Sequence, residues 1–237
     1  MPYRSSQLAL QRVAASGWGG ARPGAGRKPG PNPGLPHASR IQLPKPLPAH
    51  ATLRLRSGLP SLRTVRIVHE IERTFAAGCA RPGFRLVHYS LQGNHAHLIV
   101  EASDRDVLGR GMMAIGSRLA RVVNRVAKRT GPVLADRYHV RLLRTPKEVR
   151  AALRYVLLNA RRHAVHARGA LRRMVRLDPA SSGRWFDGWK AGTPIGIDAL
   201  DGPAALPTRR AVARARTWLL AVGWRRHGLL DPADVPG

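Results

Sequence analysis

Acidic side chains are scarce in this chain of 237 residues: 13 Asp and Glu stand against 41 Lys and Arg, a formal net charge of +28. None occurs before Glu70. So large an excess repels itself in a compact state unless a polyanion screens it. Nucleic acid, whose phosphates Lys and Arg neutralise, is the expected partner. A charged surface kept for solubility would be better served by Asp and Glu. Cysteine is nearly absent as well. Cys79 stands alone, which excludes an intrachain disulfide and a zinc site built on several thiolates, and fits a reducing, cytoplasmic setting. Long apolar runs are missing, as are a basic amphipathic helix with bulky apolar residues opposite and the sustained apolar start of a signal peptide. No membrane partner is therefore expected.

What is present divides into three stretches. Residues 1–46 carry "GWGGARPGAGRKPG", dense in Gly and Pro and punctuated by Arg22, Arg27 and Lys28. Such a segment buries too little apolar surface to offset chain entropy, and a disordered basic arm is expected. Ordered structure is expected over 47–168. "HATLRLRSG" alternates as a strand does. Val65, Ile67, Val68, Ile71 and Phe75 recur at helical spacing. "FRLVHYSLQGNHAHLIVEA" is two apolar runs split by Gln92–Asn94 and reads as a β-hairpin. A helix is expected from about Asp104 to Arg129, with Ser103 as N-cap and Gly131 as the stop. "PVLADRYHVRLLRT" reads as a strand. Thr145, Pro146 and Glu148 form an N-cap, a proline at the first helical position and a capping-box acid, opening a helix that runs to Gly169. The order β-α-β-β-α-β plus one helix is the ferredoxin-like pattern, an α+β fold with an antiparallel sheet. Residues 169–237 carry a loop-like "WFDGW" with Trp185, Phe186 and Trp189, then "TRRAVARARTWLLAVGWRRHG", expected as a basic helix ending near Gly223.

The chemistry-bearing candidates lie in the middle stretch. In "GNHAHLIVE" (93–101), alternation puts His95, His97 and Ile99 on one strand face and Ala96, Leu98 and Val100 on the other. Two imidazoles so placed converge well enough to hold one metal ion, although such a pair taken alone is more often structural. Tyr155 and Asn159 stand at i, i+4 on the helix after the sheet, with Arg162 one further turn along. Tyr155 also reads as a rim aromatic of the stripe made by Val149, Leu153, Val156 and Leu157, and Asn159 as a solvated helix residue. Tyr138 and His139, in "DRYHVRL", read as strand residues.

"GNHAHLIVE" followed some sixty residues on by "LRYVLLNARRH" resembles the single-tyrosine HUH transposases, and more narrowly their REP-associated tyrosine transposase branch. The resemblance covers about His50 to His166, with Ala160 where the family often has proline after the amide. It implies a ferredoxin-like core, Tyr155 as nucleophile, and a divalent Mg or Mn ion held by His95, His97 and Asn159. It further implies a bacterial DNA transposase acting on single-stranded DNA or DNA hairpins. Tyrosine attack would give a 5′-phosphotyrosine and a free 3′-OH, as monomer or homodimer. Arg161, Arg162, Arg121, Arg125, Arg27 and Lys28 are candidate DNA contacts; each also reads as part of a solvated basic face. The alternatives are a non-catalytic nucleic-acid-binding protein of the same fold, whose binding would be steeply salt-dependent and indifferent to EDTA, and a metal-dependent nuclease using water, with Tyr155 only packing.

Overall fold

A computed structural model describes residues 43, 46–168, 175–192, 195–197 and 209–235. Apart from Leu43 and Pro46, the arm expected over 1–46 lies outside the described residues, and so do Arg27 and Lys28. The described residues belong to one compact unit, 37–237.

The elements follow the sequence pattern closely. They are β1 (Leu47–Arg54), α1 (Val65–Ala76), β2 (Ala80–Arg81), β3 (Phe84–Leu91), β4 (His95–Ala102), α2 (Arg105–Val126), β5 (His139–Leu142) and α3 (Pro146–Arg168). The sheet is antiparallel throughout, in the order β2-β3-β4-β1-β5. Without the two-residue β2, that is the ferredoxin-like arrangement. A central β1–β4 pair is flanked by β3 and β5, and the two β-α-β units interleave.

Alternation along the strands separates two faces. Ala49, Ala51 and Leu53 of β1 and Ala96, Leu98 and Val100 of β4 point into the main core with Ile67, Ile71 and Phe75 of α1 and Met112, Leu119 and Val123 of α2. Helix α2 comes so close to the sheet that a methyl group at Gly111 would collide with the Phe84 ring. The opposite face carries Val87 and Ile99, packed against Leu153, Val156 and Leu157 of α3.

Several local expectations change. The N-cap of α2 is Asp104, not Ser103: its carboxylate accepts from Val107 N at 2.8 Å, while the Ser103 hydroxyl donates to Asp104. A carboxylate at that position favours the helix dipole more than a hydroxyl does. Helix α2 stops three residues early, where Lys128 takes a positive φ of 49°. The strand expected over 132–145 shrinks to β5; before it, a single bridge joins Leu134 to Leu55, with Val133 buried in the main core and Leu134 partly buried against it. The α3 capping box forms as expected: Thr145 Oγ1 accepts from Glu148 N, and Glu148 Oε2 accepts from Arg144 N and Thr145 N.

The largest correction concerns the C-terminal extension. Its long basic helix is replaced by a stretch over 209–217 that is neither helix nor strand, one short helix α4 (Trp218–Ala221) and a 3-10 turn over 223–227. (In this numbering the short parallel pair at 175–177 and 195–197 is β6 and β7.) The stretch is not helical because the core has claimed its backbone donors. Ala213 N donates to Leu86 O, and Arg216 N and Thr217 N donate to the buried Glu101 carboxylate. Packing overrides a favourable helix composition there.

The aromatic residues of the extension pin it to the core. Phe186 stacks on Trp224 at 5.5 Å and meets Trp189 edge-on at 4.9 Å, all three packed against α3. Arg150 and Arg154 of α3 donate to Gly228 O and Val235 O. Among the described residues no helix is long and apolar enough to cross a membrane.

Candidate active site

His95 and His97 share the sheet face that α3 covers, as their spacing on β4 requires. Their Nε2 atoms stand 3.1 Å apart, with the rings edge-on at 82°. The Nδ1 atoms explain what those facing nitrogens present. His95 Nδ1 donates to Asn94 Oδ1 at 2.8 Å. His97 Nδ1 lies 3.2 Å from both Thr52 Oγ1 and His50 Nε2, to either of which it can donate. With Nδ1 protonated on both rings, each imidazole turns an Nε2 lone pair towards the other; with Thr52 Oγ1 donating to His97 Nδ1 instead, His97 Nε2 donates to His95 Nε2 in an ordinary hydrogen bond. Two lone pairs at 3.1 Å repel unless a proton or a cation lies between them. Metal-bound nitrogens sit about 2.1 Å from their ion, and the separation suits two that share one. Orientation of ligating imidazoles through the second nitrogen is also how protein metal sites are held.

Tyr155 completes the cluster. Helix α3 crosses this face of the sheet and carries Tyr155 Oη to 3.4 Å from His97 Nε2, with ring centroids 5.0 Å apart. The phenol therefore points at the place where the two histidine nitrogens converge. Asn159 stands one turn further along the same side of α3 and is buried. Among the described residues, no group of three or more His, Cys, Asp or Glu side chains is arranged to hold a metal. Of the described side chains on this side of α3, Tyr155 and Asn159 add a phenol and an amide to the two imidazoles.

Behind the pair lies a histidine that sequence reasoning missed. His50 on β1 is mostly buried, packs 5.2 Å from the His97 ring and 5.8 Å from Tyr155, and has its pKa lowered to about 4 by burial and then by the Arg141 guanidinium. It is therefore neutral at neutral pH, able to accept from His97 without adding charge. Its place follows from register: Thr52 pairs with His97 and His50 with Ile99, which puts both β1 side chains on the histidine face. The only signal in the sequence was the alternation of His50 and Thr52 in a strand.

A cleft of about 550 Å³ opens beside Tyr155, lined by His50, Arg141, Lys147 and Glu148 among others. Arg141 bonds Glu148 at 3.1 Å, and the Glu148 carboxyl is held below its ordinary range by Arg144 N and then by Arg141. Two cations at the mouth suit an anionic, extended ligand.

The other expected residues are dispersed. Arg121 and Arg125 lie on α2, across the sheet from the histidines, and Arg125 pairs with Glu70. Arg161 and Arg162 are on α3 beyond Tyr155, with side chains outside the described residues. Tyr138 packs against the main core and lines a separate cavity with Met112 and Met113, away from the site. His139 is exposed opposite Thr52.

No family model matches the chain, and no curated protein matches it. Among solved structures, the chain is similar to a REP-associated tyrosine transposase bound to a REP hairpin. The two are 15% identical with a TM-score of 0.48, over 77% of this chain and 100% of that one. A presumed transposase from Deinococcus radiodurans is 16% identical with a TM-score of 0.33, over 46% of this chain and 85% of that one.

Proposed function

We propose that this chain is a DNA strand-transferase of the transposase type, acting on single-stranded or hairpin-associated DNA through Tyr155. The observation that carries the reading is the convergence of His95 Nε2, His97 Nε2 and Tyr155 Oη in a chain of net charge +28. A purely structural histidine pair leaves unexplained why its two Nε2 atoms converge on a phenol.

In this reading the DNA backbone enters the cleft beside Tyr155, its phosphates drawn by Arg141 and Lys147. The Tyr155 oxygen attacks a phosphorus atom. A Tyr–O–P bond forms, the P–O3′ bond breaks, the phenol proton is lost, and the departing 3′ oxygen takes up a proton. The products are a 5′-phosphotyrosine and a free 3′-OH, so the energy of the phosphodiester is kept for rejoining by another strand's 3′-OH. His95, His97 and Asn159 are the side chains that would hold a divalent Mg or Mn ion. Such an ion supplies charge neutralisation at the non-bridging oxygens and orients the ester for in-line displacement. His50 and Thr52 fix the His97 ring, so that Nε2 rather than Nδ1 faces the reacting centre.

The test is a covalent adduct. Incubation of the full chain with a labelled single-stranded hairpin and Mn²⁺ or Mg²⁺ gives a protein–DNA species stable to denaturation. EDTA prevents it, and Tyr155→Phe abolishes it with circular dichroism unchanged. An undiminished adduct in Tyr155→Phe overturns the assignment of the nucleophile. Cleaved DNA with no adduct points instead to a water-using nuclease, and metal-independent binding without cleavage to a simple DNA-binding module.

A further inference from the structure

Trp218 is one of three large hydrophobic side chains exposed among the described residues, with Met113 and Val222, and half of its surface is open to solvent. Exposure of that kind is unusual among the described residues. Phe186 and Trp224 are buried, and Trp185 and Trp189 are partly covered against the body of the protein. Trp218 is also held rather than loose. The ring lies against Gly223, where an added Cβ would come to 2.7 Å from it, and the Arg226 guanidinium sits 4.8 Å from the ring centroid. Gly223 and Arg226 belong to the same 3-10 turn.

The chain leading to Trp218 has a matching pattern. From residue 213 into the start of α4, Arg214, Arg216 and Trp218 are exposed in alternation, while Ala213, Ala215 and Thr217 between them are partly covered. The two guanidinium-bearing residues and the indole therefore form a row on one open side of the segment, which Thr217, extended at φ −66° and ψ 139°, carries on to Trp218. This row is moored to the strand that carries the site. The Glu101 carboxylate, four residues beyond His97 on β4 and on the same sheet face, accepts from Arg216 N, Thr217 N and Thr217 Oγ1 at 2.6–3.1 Å. Along the strand, His97 and Glu101 are about 13 Å apart.

We propose that Arg214, Arg216, Trp218 and Arg226 form a second nucleic-acid contact, in which an unpaired base stacks on the open face of Trp218 and the arginines neutralise the adjoining phosphates. A flat indole backed by a cation is a sequence-tolerant platform for bases outside a duplex. Charge complementarity selects this occupant: four of the exposed residues over 214–226 are arginine or tryptophan, and none of the exposed residues there is acidic. The proposal takes its ligand class from the transferase reading, but it concerns binding away from the reacting centre.

The test is equilibrium binding of the full chain, in EDTA, to a fluorescein-labelled oligothymidylate and to a blunt duplex of equal charge. Trp218→Ala weakens single-strand binding about ten-fold, the size expected for loss of one stacked base, and leaves duplex binding little changed. Trp218→Phe keeps most of the affinity. Arg214→Ala with Arg216→Ala lowers the slope of log K against log salt by about 1.4, as loss of two phosphate contacts requires on a single strand, whereas Trp218→Ala leaves the slope unaltered. Equal affinity of wild type and Trp218→Ala for the oligothymidylate overturns the proposal. So does a change in sedimentation of Trp218→Ala without a change in DNA binding, which would assign the patch to protein association. Because binding is read without metal or cleavage, failure of the Tyr155 adduct leaves this result standing. An adduct formed normally with no dependence of binding on Trp218 sinks this proposal alone.

Discussion

The two faces of the central sheet use the same strands for opposite purposes. On one, Ala49, Ala51, Leu53, Ala96, Leu98 and Val100 are apolar and disappear beneath α1 and α2. On the other, the residues between them are His50, Thr52, His95, His97 and Glu101, with Ile99 as an apolar exception. A strand whose side chains alternate can build a core and a site within the same eight residues, at the cost of little freedom in either. A one-residue slip of β4 against β1 would bury the histidines under α1 and α2 and expose Leu98, so the core that fixes the register also fixes the site.

Neighbouring substitutions on β4 break this comparison most directly. His97→Ala removes one of the two converging nitrogens and the partner of the phenol. The expected loss of adduct formation is at least a hundred-fold, while unfolding free energy changes by no more than about 1.5 kcal/mol, the scale of a modest hydrogen bond. Leu98→Ala, one residue on and facing the other way, reverses the pattern. Deleting a fully buried leucine costs about 2–5 kcal/mol, yet the variant forms adduct normally at temperatures where it is folded. Adduct assays and urea titrations of the two proteins decide it. A large stability loss in His97→Ala without a loss of chemistry would show that the polar face serves the fold instead.

Much of the site was legible before the structure because its parts obey local periodicities. Period two on β4 put His95 and His97 together, a helical turn paired Tyr155 with Asn159, and the Thr145–Glu148 capping box fixed where α3 begins and hence which residues face the sheet. His50 and Thr52 were not legible. Their contact with His97 depends on the β1–β4 register, which joins residues more than forty positions apart. The extension misled for a related reason. Residues 209–217 have the composition of a helix, but Leu86 O and the Glu101 carboxylate capture their amides, and no window along the sequence reports an acceptor a hundred residues away. Asp104 in place of Ser103 was a smaller miss, between two adjacent residues that both can cap.

The polar face is itself divided, and its buried end gives the smallest effect. Towards His50 and Tyr155 it opens into the cleft. On β3, His88 lies opposite Ile99 on this same face, but the extension seals it. His88 Nδ1 is 3.2 Å from Ser182 Oγ, and the ring meets Phe186 edge-on at 5.3 Å. Burial, and secondarily Arg210, lower its pKa to about 3, against a weak opposing influence from Asp187. In the unfolded chain the same imidazole titrates near 6.5. Between those values the unfolded state binds a proton that the native state refuses. Stability from this residue is therefore complete above pH 6.5 and falls as the pH drops towards 3, by at most about 1.4 kcal/mol per pH unit. His50 is depressed in the same direction, but it touches His97 and a variant there would disturb both ends of the face. His88→Gln isolates the sealed end. Its urea midpoint is expected to fall less steeply than that of the wild type between pH 6.5 and 4, with adduct formation at neutral pH unaltered. Parallel slopes for the two proteins would mean that the extension opens to admit the proton before the rest of the chain unfolds. The cover over this half of the face would then be a separable layer rather than part of the cooperative fold.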